Sequence, residues 1–196
     1  TIKNLVEIPK NYNDQVEKFK YLFFDACKLR MRSDVKIATS LSGGMDSSSI
    51  VGSINHFKNI NENLDNTQFP HNAFILDYKN EIDNEINYAK SVVENTHIKA
   101  KFVDLEINKV EPEEIIKVIY HQEEVHGNEG LGPWYIFKNM KENNIKVDIN
   151  GQGGDELLAG YSGYPRIAMN ECNFPVEFIR WSDLLLLHIK MNDESN

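Results

Sequence analysis

Between residues 40 and 48 the chain reads Ser40-Leu41-Ser42-Gly43-Gly44-Met45-Asp46-Ser47-Ser48, a run whose residue types suit the grip of a phosphate. Glycines let the backbone approach a bulky anion, and the hydroxyls of Ser42, Ser47 and Ser48 can donate to its oxygens. A helix starting there adds free amides and the positive end of its dipole. Asp46 would repel a bare phosphate, so its place in the run suggests a ligand for a Mg2+ ion that bridges phosphates. A lone Ser-Gly-Gly also serves as a tight turn, with Asp46 capping the next helix, and by itself the run leaves both readings open. It contains no GxxxxGK followed by Ser or Thr, and no GxGxxG, which excludes a Walker-type loop and a dinucleotide fingerprint.

A second glycine-rich run follows much later: Asn150-Gly151-Gln152-Gly153-Gly154-Asp155-Glu156-Leu157-Leu158-Ala159-Gly160-Tyr161. Taken alone it is a flexible turn with a capping Asp. Its place relative to the elements gives it more weight.

Both runs must be positioned by strands. Val35 to Thr39 is short, β-branched and largely apolar, the pattern of a buried strand. Ala73 to Leu76, Ala100 to Leu105 and Lys146 to Asn150 repeat that pattern. Between them lie helical periodicities: Ile50, Val51, Ile54 and Phe57 on one face, then Ile86, Ala89, Val92 and Val93. A third helix opens at Glu111-Pro112 with Ile115, Ile116, Ile119 and Tyr120 as its expected buried face, and a fourth runs through Phe137 and Met140. A leading helix from Asn11 to about Arg32, started near Asn13 and Asp14, carries Val16, Phe19, Phe23, Ala26 and Arg30 at helical steps. Strands alternating with helices predict an α/β fold, a doubly wound, mostly parallel sheet flanked by helices. In such sheets ligands sit beyond the carboxyl ends of the strands, and both glycine-rich runs fall there.

Three segments are expected: a helical lead-in over 1–34, an α/β domain over 35–165, and the start of a helical portion over 166–196. The stretch from Asn59 to Pro70 reads as a polar loop, and no internal repeat or low-complexity tract is evident. Thr1 in place of Met, and the polar tail Met191 to Asn196, suggest a piece of a longer protein.

Lys plus Arg is 21 and Asp plus Glu is 30 of 196 residues, a net charge of 21 − 30 = −9. Such a surface repels a polyanion, so nucleic acid is not expected as the main partner. No apolar run approaches the ~20 residues of a membrane span, so no membrane partner is expected either. Cys27 and Cys172 form neither a CxxC pair nor a disulfide framework, which points to a reduced, cytoplasmic setting.

The string SGGMDSS after a short apolar strand closely resembles the PP-loop, SGGxDS, of N-type ATP pyrophosphatases, which have an adenine-nucleotide α-hydrolase-like fold. The run from Gly151 to Tyr161 resembles the G-x-G-S/G-D-E-x-x-x-G-Y segment in the synthetase domain of asparagine synthetases and their β-lactam-forming relatives. The resemblance spans roughly Val35 to Tyr164 in element order, and the two loops are its specific part. It implies ATP and Mg2+ as cofactors, with ATP split into AMP and pyrophosphate. Leu41, Ser42, Gly43, Gly44, Asp46, Ser47, Ser48, Leu76 and Gly151 would then surround the nucleotide, and Asp155 would face Asp46 as the second carboxylate on the metal.

The implied function is that of an ATP-dependent, amide-forming ligase. A carboxylate, aspartate in asparagine synthetases, is adenylated and then transferred to ammonia or another amine. A glutaminase domain or subunit is a candidate partner. Gln152 departs from the pattern, since glutamine-dependent asparagine synthetases carry Glu there and β-lactam synthetases an aromatic residue. An amide can orient a substrate but cannot take a proton as a carboxylate does, so Gln152 is an expected catalytic-site residue that leaves the product open. The family's pyrophosphate-stabilising Lys lies well beyond this segment, and Lys190 comes too soon after Asp155 to be assigned to it. The isolated piece is therefore not expected to turn over unaided.

Two other readings compete. One is a different N-type ATP pyrophosphatase, such as a tRNA-thiolating enzyme, disfavoured by the charge and the missing CxxC. The other is a nucleotide-binding remnant without catalysis. His121 and His126 lie about 140° apart around a helix and do not make a zinc motif. Trp134 and Tyr135 read as packing residues, and Arg166 either meets a substrate carboxylate or forms a surface ion pair.

Overall fold

Short runs of two to seven residues, placed between helices, form the sheet. The computed structural model describes residues 8–60, 72–79, 85–125, 130–173 and 176–193. The chain divides into two compact units, Thr1–Gly151 and Gln152–Asn196. The division falls inside the second glycine-rich run, upstream of the boundary expected at 165.

In the first unit the elements run α1 (Tyr12–Arg30), β1 (Ile37–Ser40), α2 (Met45–Ile60), β2 (Asn72–Tyr78), α3 (Ile86–Thr96), β3 (Lys99–Leu105), a short 3-10 turn, α4 (Pro112–Gln122), α5 (Leu131–Glu142) and β4 (Val147–Asp148). The four strands are parallel in the order β3-β2-β1-β4, confirming the expected parallel α/β sheet. The chain winds outward from β1 to β3 and then returns to the other side of β1. That reversal makes a topological switch point between β1 and β4, the place where open α/β sheets bind ligands.

Strand β2 is buried on both faces by alternating residues. On β2, Ala73 and Ile75 point into a cluster with Leu41, Val51 and Ala89, beneath α2 and α3. Phe74 points to the opposite face with Ala38, Val103, Ile136 and Met140, and half-buried Leu76 packs beside it, beneath α5. Phe74 and Ile75 are each 1% exposed, and each contributes about 1.5–3 kcal/mol through its burial. A third cluster joins Cys27 and Met31, at the end of α1, to Ile37, Ile50, Ile54 and Ile149. Among the described residues, no helix is long and apolar enough to cross a membrane.

Two helices bury other faces than expected. In α4 the buried residue is Val118, which meets Leu105 and Leu131, while Ile116 and Tyr120 are 65% and 77% exposed. The reason is polar. Glu114, one turn before Val118, accepts hydrogen bonds from Trp134 Nε1 at 2.8 Å and Lys138 Nζ at 2.9 Å on α5. A hydrogen-bonded carboxylate thus takes an inward position that apolar periodicity assigns to isoleucine. In α1 only the C-terminal half packs, leaving Val16 and Phe19 exposed. Its cap is Asn11, whose side-chain oxygen accepts the Asn13 amide hydrogen at 2.9 Å.

Other boundaries shift by a few residues. β4 is only two residues long, although the Ile149 amide donates to Ala38 O at 2.9 Å and prolongs the contact with β1. Helix α5 begins at Leu131, with Gly132 and Pro133 inside its first turn, where a proline lacks no needed donor. The expected polar loop lies mostly outside the described residues, as does His126.

The second unit contains α6 (Gly154–Leu158), α7 (Tyr164–Asn170) and α8 (Phe178–Asp193). Helices α7 and α8 pack together. The His188 ring nitrogen Nδ1 is hydrogen-bonded with the Ser162 carbonyl at 3.0 Å.

Candidate functional site

At the end of β1 the Leu41 amide donates to Phe74 O at 2.9 Å, which holds the start of the first loop on the sheet. The Leu41 side chain is 2% exposed and sits in the core under α2 and α3. Only its backbone is presented at the strand end. The chain then turns at Gly43, whose φ of +95° is strained for any residue with a Cβ. The turn lies against the start of α3: a Cβ on Gly43 would stand 2.5 Å from Ala89 N and 2.7 Å from Tyr88 Cβ.

Serine hydroxyls shape the loop from within. Ser47 Oγ is 3.0 Å from Ser42 Oγ and donates to Gly44 O at 3.2 Å. Ser42 Oγ accepts the Gly44 amide hydrogen at 3.2 Å, and Ser47 Oγ accepts that of Ser42 at 3.3 Å. Ser47 is buried and Ser42 exposed. Two of the predicted phosphate-binding hydroxyls therefore also preorganise the loop. Among the described residues the buried Ser48 Oγ has no hydrogen-bond partner, an unusual state for a buried hydroxyl.

Asp46 lies in the first turn of α2 and is half-buried. Among the described residues its carboxylate has neither a hydrogen bond nor an ion pair. The second loop reaches it through Gly151. A Cβ on Gly151 would be 2.9 Å from Asp46 Cβ and 3.0 Å from Ser47 N, so the β4 loop lies in backbone contact with the start of α2. The structure thus brings together Gly151, Asp46 and Ser47, three of the residues singled out in the sequence. Leu76 is half-buried on β2 and packs against the cluster of Leu105, Val118 and Leu131.

Asp148 is a residue that sequence reasoning passed over. Its Oδ1 accepts the Ser40 amide hydrogen at 2.8 Å, and its Oδ2 accepts the Ser40 hydroxyl at 2.8 Å and the Asn150 side-chain amide at 3.0 Å. The signal was present: an acid in the middle of Lys146 to Asn150, a run read as a strand. Beyond the ends of β2 and β3, Lys79 pairs with Asp77 and, at 3.1 Å, with Asp104. Those two carboxylates push the Lys79 ammonium pKa upward.

Gln152 and Asp155 belong to the second unit. Gln152 is exposed, and Asp155 is half-buried in the first turn of α6. The Asp155 carboxylate lies over Gly160, where a Cβ would collide with it, and the Gly160 amide donates to Asp155 O at 2.9 Å. Tyr161 donates to Glu156 Oε1 at 3.0 Å, a bond that raises the Tyr161 pKa. The close of the segment is thereby folded back onto its two acids. Asp155 itself has no side-chain hydrogen bond or ion pair among the described residues. The described residues contain no group of three His, Cys, Asp or Glu side chains gathered for a metal. His121 instead stacks on Trp134 with ring centroids 5.2 Å apart. Cys27 and Cys172 are free, and burial pushes the Cys27 thiol pKa up.

Comparison with known proteins agrees with the loops. The asparagine synthase family model matches residues 18–190. A Methanocaldococcus jannaschii protein bearing the name of a glutamine-hydrolyzing asparagine synthetase is 32% identical over 147 residues, covering 74% of this chain. The glutamine-hydrolyzing asparagine synthetase 1 of Bacillus subtilis is 27% identical over 154 residues, 76% of the chain. A Gibberella zeae protein named amidase chry2 is 23% identical over 167 residues, 83% of the chain. The chain spans only 26%, 22% and 25% of the lengths of these three relatives.

Proposed function

The chain belongs to the asparagine synthase family, and from that premise we propose that it is the ATP-binding part of a ligase that adenylates a carboxylate and passes the acyl group to an amine. The observation that carries this reading is the meeting of the two loops: Gly151, after β4, lies in backbone contact with Asp46 and Ser47, after β1. This is the switch point of the sheet, where a phosphate chain can meet helix-start amides and hydroxyls together.

The residues present suit Mg2+–ATP. Asp46 and Asp155 offer hard oxygen ligands that have no hydrogen bond or ion pair among the described residues, and Asp46 directly precedes Ser47 and Ser48 in the chain. These carboxylates would hold the ion, which when bound neutralises charge on the phosphate oxygens. The Ser42–Ser48 loop orients the pyrophosphate portion, while the backbone of Leu41 and Gly151 and the side chain of Leu76 border the nucleoside. A substrate carboxylate oxygen attacks the α-phosphorus as the bond to the β-phosphate bridging oxygen breaks. The electron pair leaves with pyrophosphate, and an acyl-adenylate remains. An amine then adds at the acyl carbon and loses a proton, and AMP departs with the bonding pair. The protein's part is alignment and fixed dipoles aimed at the developing charge.

Aspartate as the acid and ammonia as the amine, the latter drawn from a glutaminase domain or subunit, make up the asparagine form of this reading. Gln152 favours a second form, in which a different acid or amine is used. Its amide can orient the acyl-adenylate but cannot take the amine's proton.

Incubating the full-length protein with ATP, Mg2+, ammonia and candidate acids, with products resolved by phosphorus NMR, tests the proposal. AMP and pyrophosphate formed in an acid-dependent manner are expected. Release of ADP overturns the adenylation mechanism, and AMP formation with acids other than aspartate alone overturns the asparagine form.

A further inference from the structure

Asp148 lies just below the loops and ties the two strand ends that carry them. The β1–β4 pairing is short: Ile37 opposite Val147 and Ala38 opposite Asp148, continued by the bond from Ile149 N to Ala38 O. Above that rung the Asp148 carboxylate takes over. It binds Ser40, the last residue of β1, through both the amide and the hydroxyl, and it binds Asn150, the residue before Gly151, through the side-chain amide. Three donors converge on the two oxygens of one half-buried acid. Hydrogen bonds to a charged acceptor are shorter and stronger than neutral ones. An apolar residue at 148 would leave the Ser40 amide and hydroxyl without this acceptor. A few residues above the clamp, Gly151 already lies so close to Asp46 that a single added carbon would not fit. The two loops are therefore in close contact at Gly151, and the clamp joins the strand ends that carry them.

We propose that Asp148 is a positioning residue of the nucleotide site: by joining Ser40 to Asn150 it holds the Gly151 loop in register with Asp46 and Ser47, and thereby sets the affinity for Mg2+–ATP. The inference rests on the nucleotide-site reading given above. It has a specific consequence at the level of single atoms. In Asp148→Asn the remaining oxygen keeps the Ser40 amide and the new NH2 group can donate to the Ser40 hydroxyl. That NH2 group then confronts the Asn150 NH2, donor against donor, and the bond re-forms only when the Asn150 amide turns over to present its oxygen, which reverses the polarity of the link.

The test measures binding of Mg2+ with α,β-methylene-ATP, which cannot be cleaved between its α- and β-phosphates, by titration calorimetry on the full-length protein. Thermal unfolding is followed in parallel. Asp148→Asn and Asn150→Ala are each expected to weaken binding severalfold, the double variant no further than the singles, and Asp148→Leu by about tenfold or more. Ser40→Ala, which deletes one hydroxyl, provides a mild variant should Asp148→Leu fail to fold, and it too is expected to weaken binding. Affinities of Asp148→Asn and Ser40→Ala within twofold of wild type, with only the unfolding temperature lowered, overturn the proposal. Loss of binding in Asp46→Ala with unchanged binding in Asp148→Asn overturns the clamp alone. A folded wild-type protein that does not bind the analogue overturns the nucleotide-site reading itself, and the clamp with it.

Discussion

Gly151 touches Asp46 through the space where a side chain would be: a Cβ at 151 would stand 2.9 Å from the Cβ of Asp46 and 3.0 Å from the amide nitrogen of Ser47. Gly151→Ala therefore has to push apart the β4 loop and the first turn of α2. Overpacking of this kind destabilises by about 1–3 kcal/mol. Chemical denaturation is expected to show a loss in that range, with Mg2+–ATP affinity falling in parallel because the displaced atoms belong to the proposed site. An alanine variant with wild-type affinity would separate Gly151 from the nucleotide.

Gly43 and Gly44 are adjacent but should respond differently. At Gly43 alanine meets both a φ of +95° and backbone atoms of the start of α3 at 2.5 Å. A left-handed conformation alone strains an L-residue by about 1–2 kcal/mol, and the contact adds to it. At Gly44 the nearest obstacle is Ser42 Oγ at 3.3 Å, and φ is not positive. Urea unfolding should show Gly43→Ala as clearly the more destabilised of the two. Equal stabilities would mean that the turn does not hold the shape described.

Asp46→Ala should separate function from folding. Among the described residues the carboxylate has no partner, and its structural contribution is its favourable place in the first turn of α2, worth about 0.3–1 kcal/mol. The unfolding temperature is expected to change little, while Mg2+-dependent pyrophosphate release by the full-length protein is abolished. Retention of biological activity alongside weakened ATP binding would favour a nucleotide-binding role without catalysis.

Glu114 makes a pH-dependent tie between α4 and α5. The Trp134 indole N–H, and then the Lys138 ammonium, lower its pKa from 4.5 to about 2. A lowered folded-state pKa stabilises the fold above the unfolded value, and that stabilisation is lost as pH falls from about 4.5 toward 2. Glu114→Gln should therefore unfold at a lower temperature than wild type at neutral pH. The gap between the two should close across that acidic window when unfolding temperature is followed against pH. A gap independent of pH would show that the charge of Glu114 is not what joins the helices.

The order and kind of the elements were legible because each depends on near neighbours. Ala73 to Leu76 reads as a strand from its apolar run, and Ile50, Val51 and Ile54 read as a helix face from their three- and four-residue steps. The glycine runs were legible for the same reason, since their chemistry lies in contiguous residue types. The face of α4 was not. Its inward residue, Glu114, is polar, and only Trp134 and Lys138, on another helix, make that burial tolerable. The clamp was hidden likewise, because Asp148 acts on a residue 108 positions away.

The sequence by itself therefore determined an alternating α/β chain, the two loops and the family they resemble. The tertiary structure decided the strand order that puts β4 beside β1, the contact of Gly151 with Asp46, and the bond from Ser40 to Asp148. Local periodicity follows from the geometry of a single strand or helix. Which strand pairs with which is decided only when buried faces and hydrogen-bond donors distant in the chain must be satisfied together.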